Sequence, residues 1–175
     1  MEMNDLIQRA RGGDAEAFVA LIKQLEHSMY RMAKSMLHRD EDVADALQES
    51  ILKAYKSLPS LREPKYFKTW LFRIVINECN NILKQRSGAN VVAEVPAAAV
   101  HTDAYDSVDL REAVERLEEP QRLVVLLHYY EDLPLRQVAE ALNITESAAK
   151  MRLYRAREIL LRQFAHFQEG TLSYG

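Results

Sequence analysis

Hydrophobic residues recur three and four positions apart along most of this 175-residue chain, which is the period of an amphipathic α-helix. In the first half, the pattern predicts one helix from Asp14 to Met36 and a second that begins near Asp40, with each aspartate as the N-cap. A third helix is expected over residues 66–86. Two prolines interrupt the pattern within residues 58–64, which we therefore interpret as a loop.

The periodicity stops at residues 87–106, which we interpret as a flexible linker at a domain boundary. The pattern then predicts four more helices. Pro120 suits the first turn of the second, and Thr145 is placed to cap the last, which is expected to reach about Phe167. No segment alternates strictly as a strand does. The expected fold class is therefore all-α, with two small helical domains and a short tail, at residues 1–86, 107–169 and 170–175.

The clearest local signal is a short helix at residues 135–142, a tight turn at Asn143 and Ile144, and a longer helix after it. This is the layout of a helix-turn-helix, whose second helix enters the major groove of DNA. Outward positions here supply candidate contacts to phosphates and base edges: Arg136, Gln137, Ser147, Lys150, Met151, Tyr154, Arg155 and Arg157. An ordinary solvated helix face is the alternative, and the helix-turn-helix spacing favours DNA.

Acidic and basic residues alternate in blocks, which the net charge of −3 conceals. Residues 40–49 hold five acidic residues and no basic one, whereas residues 62–86 hold six basic residues against two acidic. Residues 87–119 are acidic again, and residues 136–162 hold six basic residues against three acidic. The two basic blocks are candidate phosphate-facing surfaces.

The residue types that usually carry catalysis are sparse or scattered. Cys79 is the single cysteine, so an internal disulfide and a thiolate metal cluster are excluded, and we expect it in the core. The five histidines lack metal-ligand spacing, and the chain has no Gly-rich phosphate loop and no nucleophile elbow. We therefore expect no catalytic residue, no metal, no cofactor and no small-molecule substrate.

Membrane and export signals are also weak. The N-terminus lacks the charged-then-apolar pattern of a signal peptide, and the longest aliphatic run, residues 123–127, is far too short to span a bilayer. We expect a cytoplasmic protein without direct membrane insertion.

Two segments of the first domain carry a family resemblance. Residues 42–55 resemble the polymerase-binding helix of region two of sigma factors, and residues 67–77 resemble the family pattern Phe-x-x-Trp-Leu-x-x-Ile-x-x-Asn. Residues 153–157, with the helix-turn-helix before them, are similar to region four. The chain leaves no segment for the central domain of housekeeping sigma factors, so it resembles the extracytoplasmic-function group of the sigma-70 family.

The resemblance implies specific roles for the acidic segment. Asp42, Asp45, Gln48 and Glu49 match positions that dock on the coiled-coil clamp helices of RNA polymerase core. Their spacing places the three carboxylates near one helix face, which suits a basic partner. A solvated acidic face is the alternative.

The resemblance also implies that residues 58–70 help to open the promoter element near position −10. Such a site needs aromatic surfaces for unstacked bases and cations for the backbone. The candidates, continued along the next helix, are Arg62, Lys65, Tyr66, Lys68, Trp70, Asn77, Asn80 and Lys84. Spacing alone would place Phe67 and Trp70 in the core.

The resemblance implies that the chain binds polymerase core at the clamp helices and flap of its large subunits, binds promoter DNA, and has an anti-sigma partner. The last helix would read the −35 element as duplex. The main alternative is a stand-alone repressor or activator that uses the helix-turn-helix alone, which leaves the basic aromatic loop of the first domain unexplained. An enzyme is the third possibility considered, and no motif supports it.

Overall fold

A computed structural model describes residues 2–88 and 110–172, with side chains in the last helix described up to Gln163. These residues form helices and short connections, without a strand, in agreement with the expected all-α class. The α-helices are α1 (Met3–Arg11), α2 (Ala15–Met36), α3 (Asp40–Ser57), α4 (Phe67–Gly88), α5 (Leu110–Glu115), α6 (Glu119–Val125), α7 (Leu135–Leu142) and α8 (Glu146–Leu172).

The first helix, α1, was not anticipated from the sequence. Its apolar residues Leu6, Ile7 and Ala10 are buried and belong to the core shared with α2. Gly13 has a φ of 103°, which glycine adopts without a Cβ penalty, and this residue turns the chain between the two helices. A nine-residue helix offers too few turns for a clear periodic pattern, and tertiary packing stabilises it.

The expected caps were right at α2 and wrong at α3. Asp14 accepts a hydrogen bond from the backbone N–H of Ala17 at 3.1 Å, and this bond, with Arg9, lowers the pKa of the aspartate. At α3 the N-cap position belongs to Arg39, and Asp40 lies inside the helix, where its carboxylate pairs with Lys34 at 2.7 Å. Acidic residues in that first turn still complement the helix dipole.

The segment between α3 and α4 is more ordered than a simple loop. Two 3-10 turns, Leu58–Ser60 and Pro64–Tyr66, each begin near a proline, and Leu58 and Leu61 are buried. These leucines fix the segment to the N-terminal bundle. The following helix, α4, includes Ser87 and Gly88, which the sequence pattern places in the linker; the other predicted linker residues lie outside the described part of the chain.

One face of α4 builds the centre of the N-terminal bundle. Phe67, Leu71, Phe72, Val75 and Cys79 are almost fully buried against α2 and α3. Burial raises the pKa of the Cys79 thiol to about 12, so the thiol stays protonated and unreactive at neutral pH. Cys79 is therefore a core residue, as expected.

The C-terminal bundle follows the predicted helix order. Pro120 lies in the first turn of α6, which continues as a π-helix over Leu126–Tyr130. Asn143 adopts the left-handed conformation, with φ 55° and ψ 47°, and ends α7 in the tight turn that a helix-turn-helix needs. Thr145 accepts a hydrogen bond from the Ala148 N–H at 3.1 Å and caps α8, which continues past the expected end near Phe167.

The two bundles pack against each other through contacts of α4 with α7 and of α2 with α6. Arg122 of α6 donates from Nε to the Ser35 hydroxyl at 2.6 Å, and from Nη2 to the Ser35 carbonyl. Within the described residues, no helix is both long and apolar enough to cross a membrane.

A partly buried ion pair joins the start of α3 to the end of α4. Arg86 donates from Nη2 to Asp42 Oδ1 at 2.7 Å, and the Asp42 side chain is 11% exposed. Asp42 therefore has a structural role that the exposed Asp45, one turn further along α3, does not share.

We expect Asp42→Ala to lower the free energy of unfolding by about 1–3 kcal/mol, because Arg86 then loses a charged hydrogen-bond partner. Asp45→Ala is the matched control and should stay within about 0.5 kcal/mol of the parent protein. Urea denaturation followed by circular dichroism measures both. Equal effects of the two substitutions would contradict a structural role for Asp42.

Candidate nucleic-acid interface

The second helix of the helix-turn-helix, α8, presents the expected face to solvent. Ala149, Leu153 and Ala156 are buried where α8 crosses α6 and α7, and this anchoring turns the opposite positions outward. Exposed there are Ser147, Lys150, Met151, Tyr154, Arg155 and Arg157, with Met151 54% and Tyr154 58% exposed. Exposed apolar and aromatic side chains beside basic residues fit contacts with base edges and phosphates.

The two arginines of this face have different environments. Arg157 donates from Nε to the Tyr129 hydroxyl at 2.6 Å, and its guanidinium lies 5.6 Å from the centre of that ring. This contact holds Arg157 against the π-helical segment that contains Tyr129. Both arginines are exposed, but because Arg157 is engaged with Tyr129, the Arg155 guanidinium is the more available for a bidentate contact to guanine.

A second basic and polar face lies on α4. Asn77, Asn80 and Lys84 are exposed and follow one another at three- and four-residue spacing. Arg73 is also exposed and extends the same row by one turn, although we did not select it from the sequence. Arg73 lies four residues before Asn77, so helical spacing places the two residues on one face and could have identified Arg73 from the sequence.

The segment before α4 brings cations and aromatic rings together. Arg62, Lys65 and Tyr66 are exposed, and the Lys65 ammonium lies 5.1 Å from the centre of the Tyr66 ring. Phe67 is 1% exposed and belongs to the core, whereas Trp70 is half-buried, with its ring centre 5.8 Å from that of Phe67. Tyr66 therefore offers the more open surface for a base, and Trp70 is only partly accessible.

Candidate residues from the two bundles meet at the contact between α4 and α7. Lys68 donates from Nζ to the Glu131 carbonyl at 2.9 Å. The Thr69 hydroxyl donates to Gln137 Oε1 at 2.8 Å, so Gln137 contacts the first bundle, while its neighbour Arg136 is exposed. The structure thus holds Lys68 and Gln137 in an interdomain contact, which sequence spacing could not show.

The acidic face of α3 remains open to solvent. Asp45, Gln48 and Glu49 are exposed together, whereas Asp42, which we grouped with them, is buried against Arg86. Three of the four residues expected to contact polymerase therefore lie together on an exposed acidic surface, which suits a basic protein partner. Among the described residues, no group of three or more histidine, cysteine or acidic side chains is placed to hold a metal ion.

Two family models match the chain in the order that the two bundles follow. Residues 16–88 match the model described as Sigma-70 region 2, and residues 107–160 match Sigma-70, region 4. Together the two matches cover more than half of the chain. They place the α4 face in region two and the helix-turn-helix in region four.

Sequence relatives support these matches, and the similarity extends over most of the length of each relative. The chain is 28% identical to the extracytoplasmic-function sigma factor SigW of Bacillus subtilis, over 93% of this chain and 97% of the relative. It is 27% identical to the extracytoplasmic-function sigma-E factor of Haemophilus influenzae, over 89% and 91% of the two chains.

Solved structures show the same fold. The sigma factor RpoE of Bartonella quintana, solved with the anti-sigma factor NepR, superposes with a TM-score of 0.67 at 23% identity, covering 86% of this chain and 98% of that one. CnrH, solved with the cytosolic domain of CnrY, gives a TM-score of 0.64 at 20% identity, with 94% and 97% covered. On the sequence matches and this fold, the chain belongs to the extracytoplasmic-function group of the sigma-70 family.

Proposed function

We propose that this alternative sigma factor divides promoter-specific initiation between its two bundles: the N-terminal bundle binds polymerase core and the −10 element, and the C-terminal bundle binds the −35 element. The observation that carries this assignment is the order of the two matched regions on two separate bundles, each with its own exposed polar face. We also propose domain limits at residues 1–86 and 107–169, with a linker between them.

The acidic surface of α3, defined by Asp45, Gln48 and Glu49, is the proposed contact with the clamp helices of the polymerase core. These side chains are exposed and have no basic neighbour within residues 40–49. Asp42 supports this surface from behind, since its pair with Arg86 fixes the first turn of α3 on α4. The polymerase flap is the proposed contact of the C-terminal bundle.

The proposed −10 surface combines the segment before α4 with the outer face of α4. Tyr66 would stack an unpaired base, the accessible part of Trp70 would contact a neighbouring base, and Arg62, Lys65 and Lys68 would hold the backbone. The exposed row on α4 would contact the following nucleotides through Arg73, Asn77, Asn80 and Lys84.

The proposed −35 surface is the outer face of α8 with the start of α7. Lys150, Met151, Tyr154 and Arg155 would enter the major groove, and Ser147 lies in the first turn, where backbone N–H groups favour phosphate. Arg136, Gln137 and Arg157 would contact the flanking backbone.

Regulation by an anti-sigma protein is a further part of the proposal. The sigma factor RpoE was solved with the anti-sigma factor NepR, and this chain shares its fold. The proposed site of action is the cytoplasm, where polymerase transcribes, and the proposed role is binding rather than catalysis.

Reversing charge on the acidic surface should weaken polymerase binding. We expect the double variant Asp45→Lys and Glu49→Lys to bind purified core about 10–100-fold more weakly at low salt, because two favourable charge contacts become repulsive. Fluorescence anisotropy of the labelled protein measures the affinity.

A matched control applies the same charge change to α2. Glu16→Lys with Glu26→Lys also reverses two exposed carboxylates, and it should leave core affinity within about twofold of the parent protein. Equal loss in the two double variants would mean that net charge, rather than the α3 surface, governs binding.

Arg155→Ala should weaken recognition of the −35 element, since one good base contact is worth about 1–3 kcal/mol. The expected result is about a 5–150-fold loss of affinity for promoter duplex, with discrimination relaxed at one base pair. The control is Arg162→Ala, at an exposed arginine two turns further along α8, which should keep both the affinity for promoter duplex and the discrimination between base pairs. Unchanged promoter choice in Arg155→Ala would remove this residue from the reading face.

A further inference from the structure

Tyr129 lies outside the helix-turn-helix but touches one of the proposed −35 residues. It belongs to the π-helix between α6 and α7, and it is 48% exposed. Its hydroxyl accepts a hydrogen bond from Arg157 Nε at 2.6 Å. The sequence pattern did not select this tyrosine, because the partner arginine lies 28 positions further along the chain.

Arg157 stands at one side of the proposed −35 surface. Lys150, Tyr154 and Arg157 follow one another at spacings of four and three residues, so they share one side of α8, and all three are exposed. The contact with Arg157 therefore places Tyr129 beside this surface, where its hydroxyl adds a polar group from another segment of the chain.

The bond to Tyr129 leaves most of the donors of Arg157 available. The engaged group is Nε, whereas the two Nη groups at the end of the guanidinium fork carry four N–H donors. That end of the fork can donate to two oxygens of one phosphate. Among the described residues, no carboxylate pairs with Arg157. The guanidinium is thus held in place without being neutralised.

The tyrosine hydroxyl also keeps a donor. Its oxygen accepts from Arg157, so its own O–H proton is available for another acceptor. In the part of the chain that the structure describes, no group accepts that proton. An O–H donor and N–H donors therefore lie side by side, and tyrosine and arginine are both residues that bind the phosphates of DNA.

The surrounding structure restricts the Tyr129 ring. The His128 ring packs against it edge to face, with ring centres 4.8 Å apart, and His128 Nδ1 donates to the Leu133 carbonyl at 2.8 Å. The Arg157 guanidinium lies 5.6 Å from the centre of the Tyr129 ring. A π-helix such as Leu126–Tyr130 is rare and often marks a functional site.

Holding an arginine in advance favours binding. A free arginine loses rotamer freedom when it binds a phosphate, and this loss weakens the complex. Tyr129 fixes the guanidinium of Arg157 as the chain folds, so less freedom is lost when DNA binds. Both residues belong to the C-terminal bundle, and the pair is therefore independent of the contact between the bundles.

We propose that Tyr129 and Arg157 together bind one phosphate of the DNA backbone beside the −35 element. Tyr129 is both a ligand of this phosphate and the positioning residue for Arg157. The inference rests on the proposed function, since it uses the −35 assignment of α8. A phosphate carries no base identity, so the pair raises the affinity for every duplex sequence alike.

Tyr129→Phe removes the hydroxyl and keeps the ring that packs against His128. The protein with purified core polymerase would first select fragments from a pool of random DNA duplexes, and a fluorescent copy of a selected duplex is the probe. We expect Tyr129→Phe to lower the affinity of this holoenzyme for the probe about 3–10-fold, because hydrogen bonds to a charged group are lost.

Tyr130→Phe is the matched control, with the same substitution at the next residue. Tyr130 is 38% exposed, and its ring lies 4.8 Å from the guanidinium of Arg31 rather than against α8. The affinity for the probe should stay within about twofold of that of the parent protein. Urea midpoints of both phenylalanine variants should match the parent, so that a weaker complex does not reflect unfolding.

A double-mutant cycle tests whether the two residues act on one phosphate. Arg157→Ala should reduce the slope of log affinity against log salt by about 1, because one phosphate contact is lost. Adding Tyr129→Phe to Arg157→Ala should then weaken binding by less than about twofold. Tyr129→Phe alone should weaken binding by the same factor on the probe and on duplexes with single-base changes in the −35 element.

Several results would overturn the phosphate site. These are parent-like affinity in Tyr129→Phe, an equal loss in Tyr130→Phe, losses that multiply in the double variant, or a changed base preference in Tyr129→Phe. If the parent protein with core selects no duplexes that share a −35 element, the proposed function fails and the phosphate site fails with it. If such duplexes are selected and Tyr129→Phe binds them as the parent does, only the phosphate site fails.

Discussion

The packing of α4 positions both the proposed −10 interface and the contact between the two bundles. Its inner face, which includes Phe67, Leu71 and Cys79, is buried against α2 and α3. That burial fixes the rotation of the helix and so turns Asn77 and Lys84 away from the N-terminal core. The same orientation presents α4 to α7. One helix therefore supplies the centre of a core, the proposed −10 surface and the main contact between the bundles.

Much of this architecture could be predicted because the helices are long and their termini are marked. Asp14 and Thr145 cap α2 and α8 as expected, and Asn143 makes the turn of the helix-turn-helix. The face of α8 follows from helical periodicity once the small residues Ala149 and Ala156 are placed inward. Local rules were sufficient here, because the determining contacts lie within a few residues of one another.

The remaining features depend on contacts that are distant in sequence. Helix α1 is stabilised by tertiary packing, and the burial of Asp42 depends on Arg86, which is 44 positions away. The contact between Thr69 and Gln137 joins residues 68 positions apart. Periodicity gives the face of a helix but not its neighbour, so a charge pattern could not distinguish a binding residue from one held in an internal ion pair or in the contact between the bundles.

Transcription in vitro is the direct test of whether this chain guides RNA polymerase to specific promoters. Purified bacterial core polymerase would be incubated with a pool of promoter fragments, with and without the protein, and the transcripts sequenced. We expect transcripts from defined start sites only when the protein is present, with two shared upstream elements among the selected fragments. An absence of transcripts, while the protein still bound specific duplexes, would contradict a role in initiation and favour a stand-alone DNA-binding regulator.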